Sequence, residues 1–255
     1  MEIILPRHKI LISDCAQISN DVYSETFTEK YKDVVKVFDE ATDCQCFIFR
    51  KDNDIIITGQ GTTTFTDFCI DLQIWRVKSE HLKDTMVHAG FDKVYKSIRD
   101  KLHEEIEKLK NLECNRIVCT GHSLFGAIST IAAADIALNF DIPVVCITFG
   151  SPRVGASDFV SLFNKVVEKS YRCIYGDDSI TYSPLPFRFK HVNGKVQYKM
   201  SYGIPRTLHH SMNKYIKATN TPLDKLNKYL VNKNEPLVDL KKPEDIADFL
   251  LDRLK

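Results

Sequence analysis

The chain has 255 residues, 44% hydrophobic and 27% charged, with 35 Lys+Arg against 34 Asp+Glu for a formal net charge of +1. That balance excludes wholesale disorder and leaves no general attraction for phosphate, so no nucleic-acid partner is expected. No apolar run approaches the roughly 18 residues of a membrane span, and the length suits one α/β domain with a tail.

Residues 1–9 carry only a short apolar burst before charge returns, too little for a secretory signal, so a cytoplasmic protein is expected. The eight cysteines agree, being far fewer than a disulfide scaffold carries. Cys119, Cys146 and Cys173 sit in apolar runs, as reduced core cysteines do. Cys44 and Cys46 form a lone Cys-x-Cys with no second pair, so no metal site is expected there. Residues 19–43 place Val22, Tyr23, Phe27, Tyr31, Val34, Val35 and Phe38 at mildly helical spacing and predict a helix. Residues 46–50 and 55–58 are apolar runs split by a polar break, which predicts a hairpin.

In residues 91–109, Phe91, Val94, Tyr95, Ile98, Leu102, Ile106 and Leu109 recur at helical steps with charges between them. Residues 116–120, 143–149 and 171–175 read as strands, and the Ala- and Ile-rich residues 124–138 as a helix. Strands alternating with helices predict βαβ units and a mostly parallel sheet, the α/β class. The last residues read as polar linkers and short amphipathic helices, the final one with Ile246, Phe249, Leu250 and Leu254 on one face. The expected division is a domain over 1–216 and a helical extension over 217–255 packed on it.

The strand over 116–120 runs into Gly121-His122-Ser123-Leu124-Phe125-Gly126, and a helix follows. A serine between a buried strand and a helix can expose its hydroxyl above the sheet edge, with the N–H of the next residue, Leu124, aimed at a developing oxyanion. Small residues are wanted on both sides of such a serine. Gly121 fits, whereas Phe125 stands where a second glycine belongs. A plain strand-to-helix turn with a serine cap is the alternative reading of the same residues.

Five segments in order resemble the fungal-type (class 3) lipase family of α/β-hydrolases, over roughly residues 45–216. They are Ile57 to Thr63 with Asp67 and Asp71, Val87-His88-Ala89-Gly90-Phe91, the Ser123 turn, Thr148 to Gly155, and Arg172 to Asp178 with His210 to Tyr215. The resemblance implies an α/β-hydrolase fold whose triad follows the chain order Ser, acid, His. It makes Ser123 the nucleophile, Asp178 the acid, with Asp177 as alternative, and His210 the base, with His209 as runner-up. His191 resembles a structural histidine of the family, and His122 fills a variable position. Thr62 is implied as the second oxyanion donor, and Gln60 stands where the family has Arg.

Residues 64–85 fall where the resemblance implies a lid. Phe65, Phe68, Leu72 and Trp75 form one apolar row, and Ile70, Ile74 and Val77 a second. A helical lid over an acyl pocket and a helix buried against the core remain equal readings. The implied activity is hydrolysis of lipid carboxylic esters of the acylglycerol type, without metal or organic cofactor, on a substrate presented at a membrane or droplet surface. A catalytically impaired fold that binds lipid or protein, and a thioesterase or phospholipase on the same fold, are the alternatives.

Overall fold

The computed structural model describes residues 6–61, 75–110, 113–198 and 208–220. Short apolar runs such as Ile55-Ile56-Ile57, Ile117-Val118-Cys119 and Val144-Val145-Cys146-Ile147 set its centre. Among the described residues, the chain runs α1 (Pro6–Asp21), α2 (Phe27–Lys30), β1 (Val35–Asp39), β2 (Cys44–Lys51), β3 (Asp54–Gly59), β4 (Arg76–Ser79) and β5 (Thr85–His88). It continues through α3 (Ala89–Leu109), β6 (Arg116–His122), α4 (Leu124–Asn139), β7 (Val144–Phe149), α5 (Ser157–Val166), β8 (Lys169–Tyr175), β9 (Lys195–Tyr198) and α6 (Met212–Thr219).

Seven strands form one sheet in the order β1-β2-β3-β6-β7-β8-β9. The β1–β2 and β2–β3 pairs are antiparallel, and every pair from β3 to β9 is parallel. Parallel strands need helical crossovers, and these bury both faces of the sheet. Ile55, Ile57, Ile117 and Cys119 accordingly pack in one core with residues of α3 and α4, while Ile56 and Val118 pack in the other with Ile12, Cys15 and Ala16 of α1 and Tyr215 of α6. Each isoleucine so buried contributes about 1.5–3 kcal/mol. Helix α4 is buried on nearly every side between the sheet and α3, which is why its sequence lacks a polar face. Its one carboxylate, Asp135, accepts from the Tyr95 hydroxyl at 2.7 Å and from Arg99 Nε at 2.8 Å on α3, locking the two helices together.

Two expectations are corrected. Residues 19–43 are not one helix, since they hold the end of α1, the short α2 and strand β1. Pairing with β2 overrides the helical spacing there, with Val37 turned into the core and Phe38 exposed. The helix actually present begins at Pro6, whose fixed φ suits a first helical turn, and it buries Ile12, Cys15, Ala16 and Ile18. Residues 64–85 are not one helix either. Val77 lies in β4, which pairs antiparallel with β5, whereas residues 62–74, with most of the expected lid, lie outside the described residues.

The boundary expected at 216 falls inside α6, and the first compact unit runs to Thr219. The second unit is residues 220–255, and the expected terminal helix lies outside the described residues. No helix among the described residues is long and apolar enough to cross a membrane.

The C-terminal ends of parallel strands β6, β7 and β8 form one edge of the sheet. In such sheets the loops beyond that edge carry the ligand site.

Candidate active site

Ser123 follows β6 directly and opens α4 with φ 58° and ψ −126°, a strained conformation for a side-chain-bearing residue. Its N–H donates to Phe149 O at 3.0 Å, which ties the turn to the end of β7. The oversized Phe125 is buried, and its space comes from the neighbouring strand. A Cβ on Gly59 of β3 would lie 2.2 Å from Phe125 Cε2. The missing side chain on β3 is what admits the ring, so the departure at position 125 is matched across the sheet.

His210 bridges the turn to the end of β8. Its Nε2 lies 2.8 Å from Ser123 Oγ. Its Nδ1 lies 3.0 Å and 2.9 Å from the two carboxylate oxygens of Asp178. Asp178 is fully buried, and its Oδ1 accepts from the Ile180 N–H at 3.1 Å while Oδ2 accepts from the Tyr215 hydroxyl at 2.6 Å. Burial and the adjacent carboxylate push the Tyr215 phenol well above the ordinary tyrosine range, so it stays a donor. Gly150, at φ +58°, leaves the room for this contact, since a Cβ there would lie 2.6 Å from Asp178 Oδ2 and 2.9 Å from His210 Nδ1.

The other candidates stand elsewhere. His209 is buried, and its Nδ1 accepts from the Asp177 N–H at 3.1 Å. Asp177 itself is exposed. His191 Nε2 donates to Thr181 O at 2.7 Å. His122 does more than fill a variable position. Its Nε2 donates to the His210 carbonyl at 2.8 Å, and the two rings lie 4.3 Å apart. A carbonyl only accepts, so His122 carries its proton on Nε2, and burial pushes its pKa down to about 3. It therefore stays neutral. His122, Tyr215 and Gly150 are the parts that sequence reasoning did not single out, although each lies in a quoted segment.

The Leu124 N–H is the first of α4, one of the donors a helix cannot satisfy internally. Thr62 lies outside the described residues. Its neighbour Gly61 donates its N–H to Tyr23 Oη at 3.0 Å, and a Cβ on Gly61 would lie 3.8 Å from Leu124 Cβ, so this loop adjoins the turn. Gln60 occupies the place of the family's Arg by donating from Nε2 to Val22 O at the end of α1 and from its backbone N–H to Gln45 O at 3.0 Å. Among the described residues no three His, Cys, Asp or Glu side chains gather as metal ligands would.

A parallel sheet, a strained serine on a strand-to-helix turn and a histidine between that serine and a buried carboxylate define the α/β-hydrolase class. Residues 56–188, just over half of the chain, match the model of the class 3 lipases, and the chain belongs to that family. It is 35% identical over 153 residues to a chloroplastic phospholipase A(1) of Arabidopsis thaliana, a match covering 51% of this chain and 34% of the relative. It is 25% identical over 142 residues to a secreted mono- and diacylglycerol lipase of Fusarium solani, covering 55% and 42%. The chain thus matches less than half the length of these curated relatives. Among solved structures it is similar to the Rhizomucor miehei lipase propeptide complex, with a TM-score of 0.66 at 19% identity, covering 76% of this chain and 69% of that one. At that identity the likeness bears on the fold.

Proposed function

We propose that the chain is a serine lipase or esterase that hydrolyses carboxylic ester bonds of lipids, acting on acylglycerol-type substrates through an acyl-enzyme. The observation that carries the reading is the unbroken line from Ser123 Oγ through the His210 ring to Asp178, with 2.8 Å on one side and 2.9 Å on the other. Ser123 Oγ attacks the ester carbonyl carbon while His210 Nε2 takes the hydroxyl proton. Asp178 keeps the other ring proton on Nδ1 and stabilises the imidazolium. The Leu124 N–H, with Thr62 as its expected partner, holds the oxyanion. His210 then protonates the departing alcohol, and water, activated the same way, releases the fatty acid.

The phospholipase A(1) relative favours a second reading for the head group, a phospholipid ester cleaved by the same chemistry. The seven described cysteines are all unpaired, which supports a reducing, cytoplasmic setting. The substrate is met at a lipid surface, because long-chain esters are scarcely soluble as monomers. Hydrolysis of a short p-nitrophenyl ester tests the assignment. Ser123→Ala and His210→Ala should each lower kcat by at least a thousandfold, with Asp178→Ala also strongly impaired. His209→Ala should keep turnover within a few-fold. An active His210→Ala beside a dead His209→Ala would contradict the choice of base.

A further inference from the structure

Seven large apolar side chains are exposed among the described residues, and four of them, Trp75, Tyr182, Leu185 and Phe187, belong to two segments at one corner of the first compact unit. Phe187 is 75% and Trp75 61% exposed. Both segments are stitched to residues 153–155. The Arg153 N–H donates to Ser183 O at 2.8 Å, and its guanidinium donates to the carbonyls of Tyr182 and Pro184. Gly155 bridges to Lys190 on one side and to Val87 on the other. Val87 in turn pairs with Val77 of β4, and Arg76 with His88. Three neighbouring-strand spacings separate β4 from the 189–190 segment, about 15 Å in all. Tyr182 ends the short helix that Asp178 caps, so this corner is part of the rim of the site.

The charge of these segments has one sign. Residues 75–79 contain Arg76 and Lys78, residues 182–191 contain Arg188 and Lys190, and neither stretch holds an acidic residue. All four cations are on exposed residues. Exposed aromatic and leucine side chains interleaved with basic ones suit the boundary of an anionic bilayer, where rings enter the head-group layer and cations meet lipid phosphates and carboxylates. An aqueous protein partner would not need this single-signed pairing.

We propose that the 75–78 strand and the 182–190 loop form the docking surface by which this chain settles on an anionic phospholipid surface, bringing the rim beside Asp178 to the lipid. The inference rests on the lipid-esterase reading only for why docking matters. Binding itself is measured without turnover.

The test uses the full-length Ser123→Ala chain, so vesicles stay intact, with vesicles of phosphatidylcholine alone and of phosphatidylcholine containing one-third phosphatidylserine. Flotation should show binding that is at least tenfold tighter to the anionic vesicles and that weakens with salt. Trp75, the one tryptophan of the chain, should shift its emission to the blue on binding. Phe187→Ser with Leu185→Ser should weaken binding to the anionic vesicles at least tenfold. Lys78→Glu with Lys190→Glu should abolish the preference for phosphatidylserine. In an otherwise native chain both pairs should leave turnover of a soluble p-nitrophenyl ester within a few-fold, which also shows that they fold. Equal binding to both vesicles, unchanged binding in both paired variants, or a concentration-dependent dimer lost in Phe187→Ser would each overturn the proposal. Failure of the esterase reading would appear separately, as no ester turnover in the native chain with vesicle binding intact.

Discussion

His209 and His210 are adjacent and chemically identical, and their neighbours alone separate them. The ring of His209 is enclosed and accepts from the Asp177 N–H, whereas the ring of His210 spans Ser123 and Asp178. The sequence leaves this pair open in terms of spacing, because a shift of one residue in a loop carries no periodic signal. The resemblance of the His210 to Tyr215 segment favours His210 with His209 as runner-up, and Tyr215 supplies the physical sense of that segment. Five residues after His210, on α6, its hydroxyl donates to Asp178 at 2.6 Å. Tyr215→Phe removes a charge-assisted bond to a buried carboxylate and should cost about 1.5–3 kcal/mol in urea melts. It should also lower kcat for the soluble ester with KM little changed, since Asp178 then orients His210 less firmly. Unchanged melts would show that the contact contributes nothing. Gly150→Ala should be worse for catalysis, because its methyl would enter the contact between Asp178 and His210.

At the scale of elements, the hairpin β2–β3, helix α3 and the β6-α4-β7 unit are legible from period and composition. Strand β1 and helix α1 are not. The edge strand β1 alternates over only five residues, and its neighbours mimic helical steps. Helix α1 is recognisable only from the core it covers, since Ser19, with its hydroxyl 3.3 Å from that of Thr120, faces inward although polar. The turn around Ser123 shows the same limit. Phe125 looks like a defect along the chain, and Gly59, 66 residues earlier, is what accommodates it. Phe125→Gly should therefore leave a cavity and destabilise the protein by roughly 3–5 kcal/mol, with lower turnover from a displaced Leu124 N–H. Gly59→Ala should also destabilise, because its methyl would meet both the Phe125 ring and the Gln45 carbonyl. Thermal melts of both variants check this, and a Phe125→Gly chain that is more stable and faster would refute a matched pair.

Across the whole molecule, the buried His88 and His122 and the half-buried His191 make stability sensitive to acid. Burial pushes His88 down to about 4, and His122 and His191 down to about 3, from an ordinary value of 6.5. Between pH 6.5 and 4 the unfolded chain binds protons that the folded chain refuses. Stability is thus complete above about pH 6.5 and falls as the pH drops. At pH 5.5 each group accounts for a loss on the order of 1 kcal/mol, so the three together lower stability by a few kcal/mol. Urea midpoints at pH 7.5 and 5.5 measure the loss. His88→Asn, which keeps an acceptor for the Gly90 N–H at the start of α3, should remove about a third of it. A pH-independent midpoint would contradict the burial argument.

Hydrolysis by this chain requires an activated nucleophile at Ser123, and one measurement addresses that directly. The native chain is incubated with a fluorophosphonate, and the adduct is located by peptide mass analysis. Such a probe phosphonylates a serine whose proton a neighbouring base removes. A single adduct on Ser123 is expected, formed rapidly in the native chain and in His209→Ala and abolished in His210→Ala. No adduct, an adduct on another residue, or undiminished labelling of His210→Ala would contradict it.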